Sequence, residues 1–412
     1  MPVLRQCQIL TDLANQLNKI GRFIDAVETY DRALRLNSRF GMARGNRGIA
    51  LSHYAHALYD DGQRAFMLAT GHQSLKAAVA NDAYYEGLGY APAQEVFRER
   101  AKQIESRVNL NGAAKLRRKR YHTGRNPAEQ HYRNWCLRNR LFINPLNDLG
   151  SMPIAAQDVL TLPSLTVSIA EGAYVPGVIG FFNQMKQEFV SARFLYYEGS
   201  KSKRSHFSDR RVLLYNTLDY PAYSFATEKM RAAFRVAYSL FDKISYFTNH
   251  YLQLGHDPNR VSFRGVWYEA KGKPPRPILA SLASRQNWPL RGLFWLSKDL
   301  FEDEFTAVTE PDAQSLNELR NHLEHKYLQL HQEIGEFVLR AFGQSVYEGD
   351  FADTTLRLLK LVRASMIYLS LSVCHEEQAR QKKSGPRKAP SMPLSPWDDQ
   401  PETITNQTLT GG

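Results

Sequence analysis

The residues best equipped for chemistry lie in one run, Ser315-Leu-Asn-Glu-Leu-Arg320-Asn321-His322-Leu323-Glu324-His325-Lys326-Tyr327. An imidazole titrates near neutral pH, so His325 can take and return protons. A guanidinium is permanently charged and forked, which suits Arg320 to the nonbridging oxygens of a phosphate. Asn321 can hold either the histidine tautomer or the phosphate. These groups match metal-free RNA cleavage, which needs a base for the ribose 2′-hydroxyl, positive charge on the developing phosphorane and an acid for the leaving 5′-oxygen. One copy of the run offers one strong acid–base group, and the reaction asks for two proton transfers. A two-fold pair of such segments would bring two His325 and two Arg320 side chains to one scissile phosphate.

An element must present these groups. Leu316, Leu319, Leu323, Tyr327, Leu330, Ile334, Phe337, Val338 and Ala341 recur at three- and four-residue steps, which predicts an amphipathic helix over about 313–342. With Leu316 at the centre of its core face, Asn321 falls roughly 140° away and His325 roughly 180° away, while Arg320 sits near the core edge. A lone outward histidine is usually just solvated. Here Asn321 and His325 share a patch at i, i+4, with Arg320 and Glu324 paired in the same way beside it. Tyr327 is directed back toward the core face, a packing position. Asp242 and Lys243, in the middle of an earlier helix, could lean toward the patch as orienting groups or remain solvated charges. His322 and His325 lack HExxH spacing and no GxxxxGK[ST] occurs, so neither a metal site nor a cofactor is expected.

At Arg320-Asn321-His322-Leu323-Glu324-His325 the sequence resembles the HEPN superfamily (higher eukaryotes and prokaryotes nucleotide-binding). The family motif is an Arg, a polar residue, spacers and a His on the outer face of a bundle helix, and Lys326-Tyr327 matches the His-x-Tyr extension of HEPN toxins. The resemblance covers roughly residues 175 to 382. It implies a four-helix bundle whose dimer forms a composite, metal-independent ribonuclease site, with Arg320, Asn321 and His325 as catalytic residues; beside it, the pairing of Glu324 with Arg320 and the place of Asp242 on the earlier helix make these two the candidate supporting residues. It also implies that Tyr327 is a target for nucleotide modification by a cognate antitoxin, although no nucleotidyltransferase is encoded in the chain.

The rest of the chain fits this setting. Among 412 residues, 43% are apolar and Leu-rich segments dominate, which indicates an all-α protein of more than one domain. A formal charge of +12 favours an anionic partner, RNA first. Cys7, Cys136 and Cys374 form no CxxC pair, so a disulfide framework is not expected. The opening residues lack the regions of a secretory signal, and the most apolar stretch, 159–182, is broken by Pro and Gly; a cytoplasmic protein with no membrane segment is the expectation.

Leu13-Ala14 to Leu17, the Gly21-Arg22-Phe23 turn and Ala26-Val27 to Leu36 look like one tetratricopeptide repeat, and further helices over 63–80 and 92–110 would stack on it. Such an array is either a partner- or peptide-sensing surface or a scaffold. From Lys115 to Arg140 nine basic residues face one acid, Glu129, with Tyr121, Tyr132 and Trp135 interleaved. Arg117, Arg118, Lys119, Arg120 and Tyr121, with Lys203 and Arg204 of a later basic loop, are the candidate RNA-binding residues, the alternative being solvated linker. Helices are expected at 178–198, 227–254 and 353–380. The expected organisation is a repeat domain over 1–112, a connector over 113–160, the bundle over 161–382 with an irregular insertion over about 255–312, and a disordered tail over 383–412. Two functions compete: an endoribonuclease acting as a toxin or antiviral effector, and a non-catalytic RNA-binding or protein-interaction scaffold that dimerises through the bundle.

Overall fold

The computed structural model describes residues 1–86, 90–118, 121–165, 177–202, 204–215, 221–270, 277–301, 316, 319–320, 322–323, 327–331 and 343–384. The architecture is helical, with two short strands among these residues. The first five helices, α1 (Val3–Lys19), α2 (Phe23–Leu36), α3 (Gly41–Ala57), α4 (Asp61–Ala78) and α5 (Ala91–Glu105), pack each on the next. Ala14, Ala26 and Ala33 are fully buried, so small side chains let α1 and α2 approach, and Tyr30 donates to Asn15 across them at 2.6 Å. The Tyr59-Asp60-Asp61-Gly62 run opens α4: the Asp60 side chain accepts from the Gln63 amide at 2.7 Å, an N-cap.

Two shorter helices follow, α6 (Leu110–Arg118) and α7 (Pro127–Arg138), then 3-10 turns at Pro145–Leu149 and Pro153–Ala155. The C-terminal half is built on α8 (Gly177–Lys201), α9 (Phe225–Leu252), the single turn α10 (Ala280–Ala283), α11 (Trp288–Phe301) and the long α12 (Glu348–Ser384). α9 begins two residues before the expected start, with Ser224 accepting from the Thr227 amide at 3.1 Å. α8, α9 and α12 pack on one another, and α11 covers α12. Within the insertion, Trp267 is buried with its indole bonded to the Phe263 carbonyl at 2.8 Å, and Leu293 and Leu296 of α11 are fully buried.

The helix expected over 313–342 is not continuous. Leu316, Leu319, Arg320, His322 and Leu323 are helical, but Tyr327–His331 is a strand, β1, paired in parallel with β2 (Gly343–Tyr347). The reason lies in Tyr-Leu-Gln-Leu-His, where apolar and polar residues alternate: Leu328 and Leu330 enter the core, while Ser345 donates across the sheet to Gln329 at 3.3 Å. Leu330 fits a three-to-four-residue step as well as a two-residue one, so helical periodicity overran a strand. The Ala222 amide donates to the Leu330 carbonyl at 2.6 Å on the other edge of β1.

One apolar core runs through both halves, from Phe23 and Tyr54 to Trp135, Phe241, Leu293 and Tyr368. The α1–α2 turn docks on α11: Gly21 has φ +91°, and a Cβ there would lie 2.4 Å from the Trp288 carbonyl oxygen. Glycine is required for the handedness and for the approach. Trp288 stacks on Phe23 at 4.5 Å, and Tyr368 of α12 meets the same ring edge-on at 4.9 Å and donates to Asp25 at 3.1 Å.

Residues 141–148 are buried and, with Asp158, form a seam. Arg193 of α8 makes a bidentate pair with Asp158 at 2.9 and 2.8 Å and also donates to the Leu141 carbonyl and to Tyr132. Arg363 of α12 binds Asp148 at 2.6 Å and the Asn144 carbonyl at 2.8 Å, and Tyr54 of α3 donates to the same Asp148 at 2.9 Å. Three distant helices thus close on one segment.

Candidate functional site

α9 is the platform for the motif. Arg231, Arg235, Tyr238 and Asp242 follow one another at steps of four, three and four residues and so lie on one face. The motif segment runs antiparallel along that face. Arg231 donates to the Leu328 carbonyl at 2.9 Å, Arg235 donates to the Leu323 carbonyl at 2.8 Å, and the Arg320 guanidinium sits 5.6 Å from the Tyr238 ring centroid. Leu316, Leu319 and Leu323 are buried beneath, which turns Arg320 to the half-buried edge.

The electrostatics couple the two elements. Burial raises the Asp242 carboxyl above the ordinary carboxylate range, while the Arg320 charge and the Phe263 amide pull it back without cancelling the rise. Burial pushes the Tyr238 phenol up to about 12, so it stays neutral beneath the arginine. Arg320 is thereby oriented by an aromatic face and a carboxylate, one from each of two successive turns of α9. The Phe263 contact also brings the insertion to this edge. Lys243, the neighbour of Asp242, turns instead to α8, where it pairs with Glu188 at 2.6 Å.

Of the residues named from sequence, Arg320 and Asp242 are brought together. Asn321, Glu324 and His325 lie outside the described residues, as do Lys119, Arg120 and Lys203 and the side chains of Arg117 and Arg118. Tyr327 is half-buried at the start of β1, its hydroxyl 2.6 Å from that of Tyr223. It is a strand residue, not the helical core residue expected. Arg204 is exposed and Tyr121 half-buried.

The later part of the basic, aromatic stretch is structural. Trp135 is buried against Tyr196, Tyr132 packs on Tyr197 and Phe194, Arg133 binds Glu129 and the Ala156 carbonyl at 2.8 Å each, and Arg140 pairs with Asp31. These rings fill the seam and are not free to stack on bases. Arg231 and Arg235, by contrast, position the motif and were not singled out from sequence. Their i, i+4 spacing with Tyr238 and Asp242 is a polar stripe running along an otherwise apolar helix, and that stripe was the available signal.

Among the described residues no group of three or more His, Cys, Asp or Glu side chains gathers in a way that would hold a metal ion, and no helix is long and apolar enough to cross a membrane. A helical bundle with Arg320 docked on α9 is compatible with the HEPN class, which is generally ribonucleolytic, binds RNA and typically dimerises. A model of the LA2681-like HEPN family matches residues 169–376, half of the chain, and the chain belongs to that family. The match takes in α8, α9, α11, the motif segment and most of α12. No curated protein and no solved structure matches the chain.

Proposed function

We propose that the chain is a metal-independent endoribonuclease that acts as a dimer, with its N-terminal helices serving as the sensor of a toxin or antiviral effector. One observation carries this reading. Inside the family match, Arg320 is fixed over Tyr238 and beside Asp242 at a half-buried edge, a place where a guanidinium can be oriented and still reach a phosphate. In the mechanism, His325 takes the 2′-hydroxyl proton, the 2′-oxygen attacks phosphorus, and the bond to the 5′-oxygen breaks as that oxygen receives a proton from the His325 of the partner subunit. Arg320 balances the charge that accumulates on the nonbridging oxygens, and Asn321 holds the imidazole or the phosphate. The products carry a 2′,3′-cyclic phosphate and a 5′-hydroxyl. The net charge of +12 draws RNA to the domain.

A second reading, a scaffold that binds RNA or protein without cleaving, is favoured by the same arginine, because its engagement with Tyr238 can also be read as a packing contact. The two separate in one assay. Purified protein is incubated with total RNA in EDTA beside Arg320→Ala and His325→Ala. Cleavage with cyclic-phosphate ends, lost by about 100-fold or more in both variants, is the expected result. RNA bound but uncut by the unmutated protein, with growth of expressing cells unaffected, would favour the scaffold.

A further inference from the structure

The connection between α8 and α9 leaves apolar side chains in water, one after another. Val212, Leu213, Leu214 and Tyr215 are 57%, 95%, 59% and 96% exposed, and Phe207 just before them is 72% exposed. Successive side chains of an extended chain point to opposite sides. Here both sides are open, so the run packs on nothing. The four side chains together expose roughly 500 Å², the extent of a functional patch on a soluble protein.

The run is held at both ends. Before it, Asp209 accepts from the Phe225 amide at the start of α9 at 3.0 and 3.2 Å, and the His206 ring lies between those of Phe207 and Phe225 at 4.1 and 4.9 Å. After it, the Ala222 amide is bound to the Leu330 carbonyl of β1. The apolar tip is therefore presented on a fixed base. Charge surrounds it on one flank: Lys201, Arg204, Arg210 and Arg211 are all exposed. The one acid between residues 201 and 215 is Asp209, and it is engaged at the start of α9.

The composition chooses the occupant. Val212, Leu213 and Leu214 have neither a flat face for a base to stack on nor a group to read its edge, which counts against RNA. A two-fold contact with a second copy would bring the same cations together, with no acid of the segment left to meet them. An anionic lipid surface answers both halves of the pattern, phosphates for the basic flank and the acyl boundary for the aliphatic tip, with a tyrosine at the level of the headgroups. We propose that Val212–Tyr215 inserts into the headgroup boundary of an anionic lipid surface, with Lys201, Arg204, Arg210 and Arg211 on the lipid phosphates. Insertion is shallow, because the backbone of the run belongs to no helix or strand and cannot leave water. This holds whether or not the chain cleaves RNA.

The test is co-sedimentation of the full chain with vesicles of phosphatidylcholine alone and of phosphatidylcholine mixed equally with phosphatidylglycerol. The chain should bind the mixed vesicles, less tightly as salt is added, and bind phosphatidylcholine far more weakly. Leu213→Glu should weaken binding to mixed vesicles by about tenfold or more, and Arg210→Gln and Arg211→Gln by about fivefold each. Val96→Glu, the same charge change at an exposed apolar residue of α5, and His325→Ala should bind as the unmutated chain does. Leu213 is almost wholly in solvent, so Leu213→Glu should leave the thermal unfolding midpoint in place. No binding to mixed vesicles, or equal binding to both kinds, would overturn the proposal. Binding that survives Leu213→Glu would reduce the contact to adsorption of a basic protein and overturn the insertion. If vesicles are not bound and Leu213→Glu instead lowers the mass seen by light scattering or weakens RNA binding, the patch belongs to a second copy or to RNA and the proposal falls.

Discussion

Arginine is used differently at the seam and at the motif edge. At the seam, Arg363 and Asp148 are 2% and 1% exposed, and the guanidinium is consumed by a carboxylate and backbone carbonyls. At the motif edge, Arg320 is half-buried, rests on an aromatic face and shares its charge with a carboxyl whose pKa is still raised. The first arrangement turns each nitrogen of the guanidinium to a partner within the chain. The second holds a cation in place and leaves it partly in reach of solvent. An arginine therefore points to function when the fold holds it and still leaves it partly in reach of solvent, which sequence spacing cannot reveal.

The largest break in this comparison should come from the seam. Arg363→Ala strands the Asp148 carboxylate in the core, and losing one partner of a buried pair costs about 3–5 kcal/mol. Urea denaturation should show the midpoint falling steeply or the protein failing to accumulate folded. A midpoint within experimental error of the unmutated chain would mean that the seam does not hold the halves together.

Next in size is the dock between the α1–α2 turn and α11. Gly21→Ala places a methyl against the Trp288 carbonyl at a positive φ, and should cost about 1–3 kcal/mol in thermal unfolding. Gly292→Ala meets the Gly21 carbonyl from the other side and should behave alike. If both are neutral, the N-terminal helices are not seated on α11 in solution.

Acid titration sharpens the comparison further. Burial alone would raise the Asp158 carboxyl, but the Arg193 charge and its hydrogen bonds, with the Ile143 amide, hold it below the ordinary value. Its contribution is complete above the unfolded pKa of about 3.9 and is lost as pH falls through the lower folded pKa. Acid unfolding should therefore steepen below about pH 4, and Asp158→Asn should lower stability at pH 7 while flattening that limb. An unchanged acid limb would remove Asp158 from the seam.

Much of this was legible in advance. Helices at 178–198, 227–254 and 353–380 stand close to α8, α9 and the middle of α12, because long runs of Leu, Phe and Ala keep one period. The strand at Tyr327–His331 was not legible, since five alternating residues inside a leucine-rich run do not outweigh the longer helical pattern. The seam was not legible either: Arg133, Arg140 and Trp135 read as part of an RNA surface or a solvated linker because their partners, Ala156, Asp31 and Tyr196, are remote in sequence. Charge in a sequence announces an anion, and only the fold says whether that anion is a ligand or a carboxylate of the same chain. At the site, helical geometry placed Arg320 near the core edge, but it left Asp242 open between an orienting group and a solvated charge, and the stripe of Arg231 and Arg235 gained meaning only from the carbonyls it meets.

The smallest expected effect discriminates best. Asp242 binds its proton more tightly in the folded chain than in the unfolded one, so its ionised form opposes folding at pH 7 and that penalty vanishes below the unfolded pKa. Asp242→Asn should therefore leave the unfolding midpoint at pH 7 unchanged or slightly higher, unlike Arg363→Ala. Arg320→Ala, which forfeits the contact with Tyr238, should lower stability by only about 1 kcal/mol. If Asp242 orients Arg320 toward phosphate, its replacement should also reduce metal-free RNA cleavage, by less than Arg320→Ala does, without loss of fold. A carboxylate that costs stability and supports turnover belongs to the site. If Asp242→Asn lowered the midpoint as seam variants do and left cleavage intact, the motif edge would be one more structural seam and the contrast between the two regions would collapse.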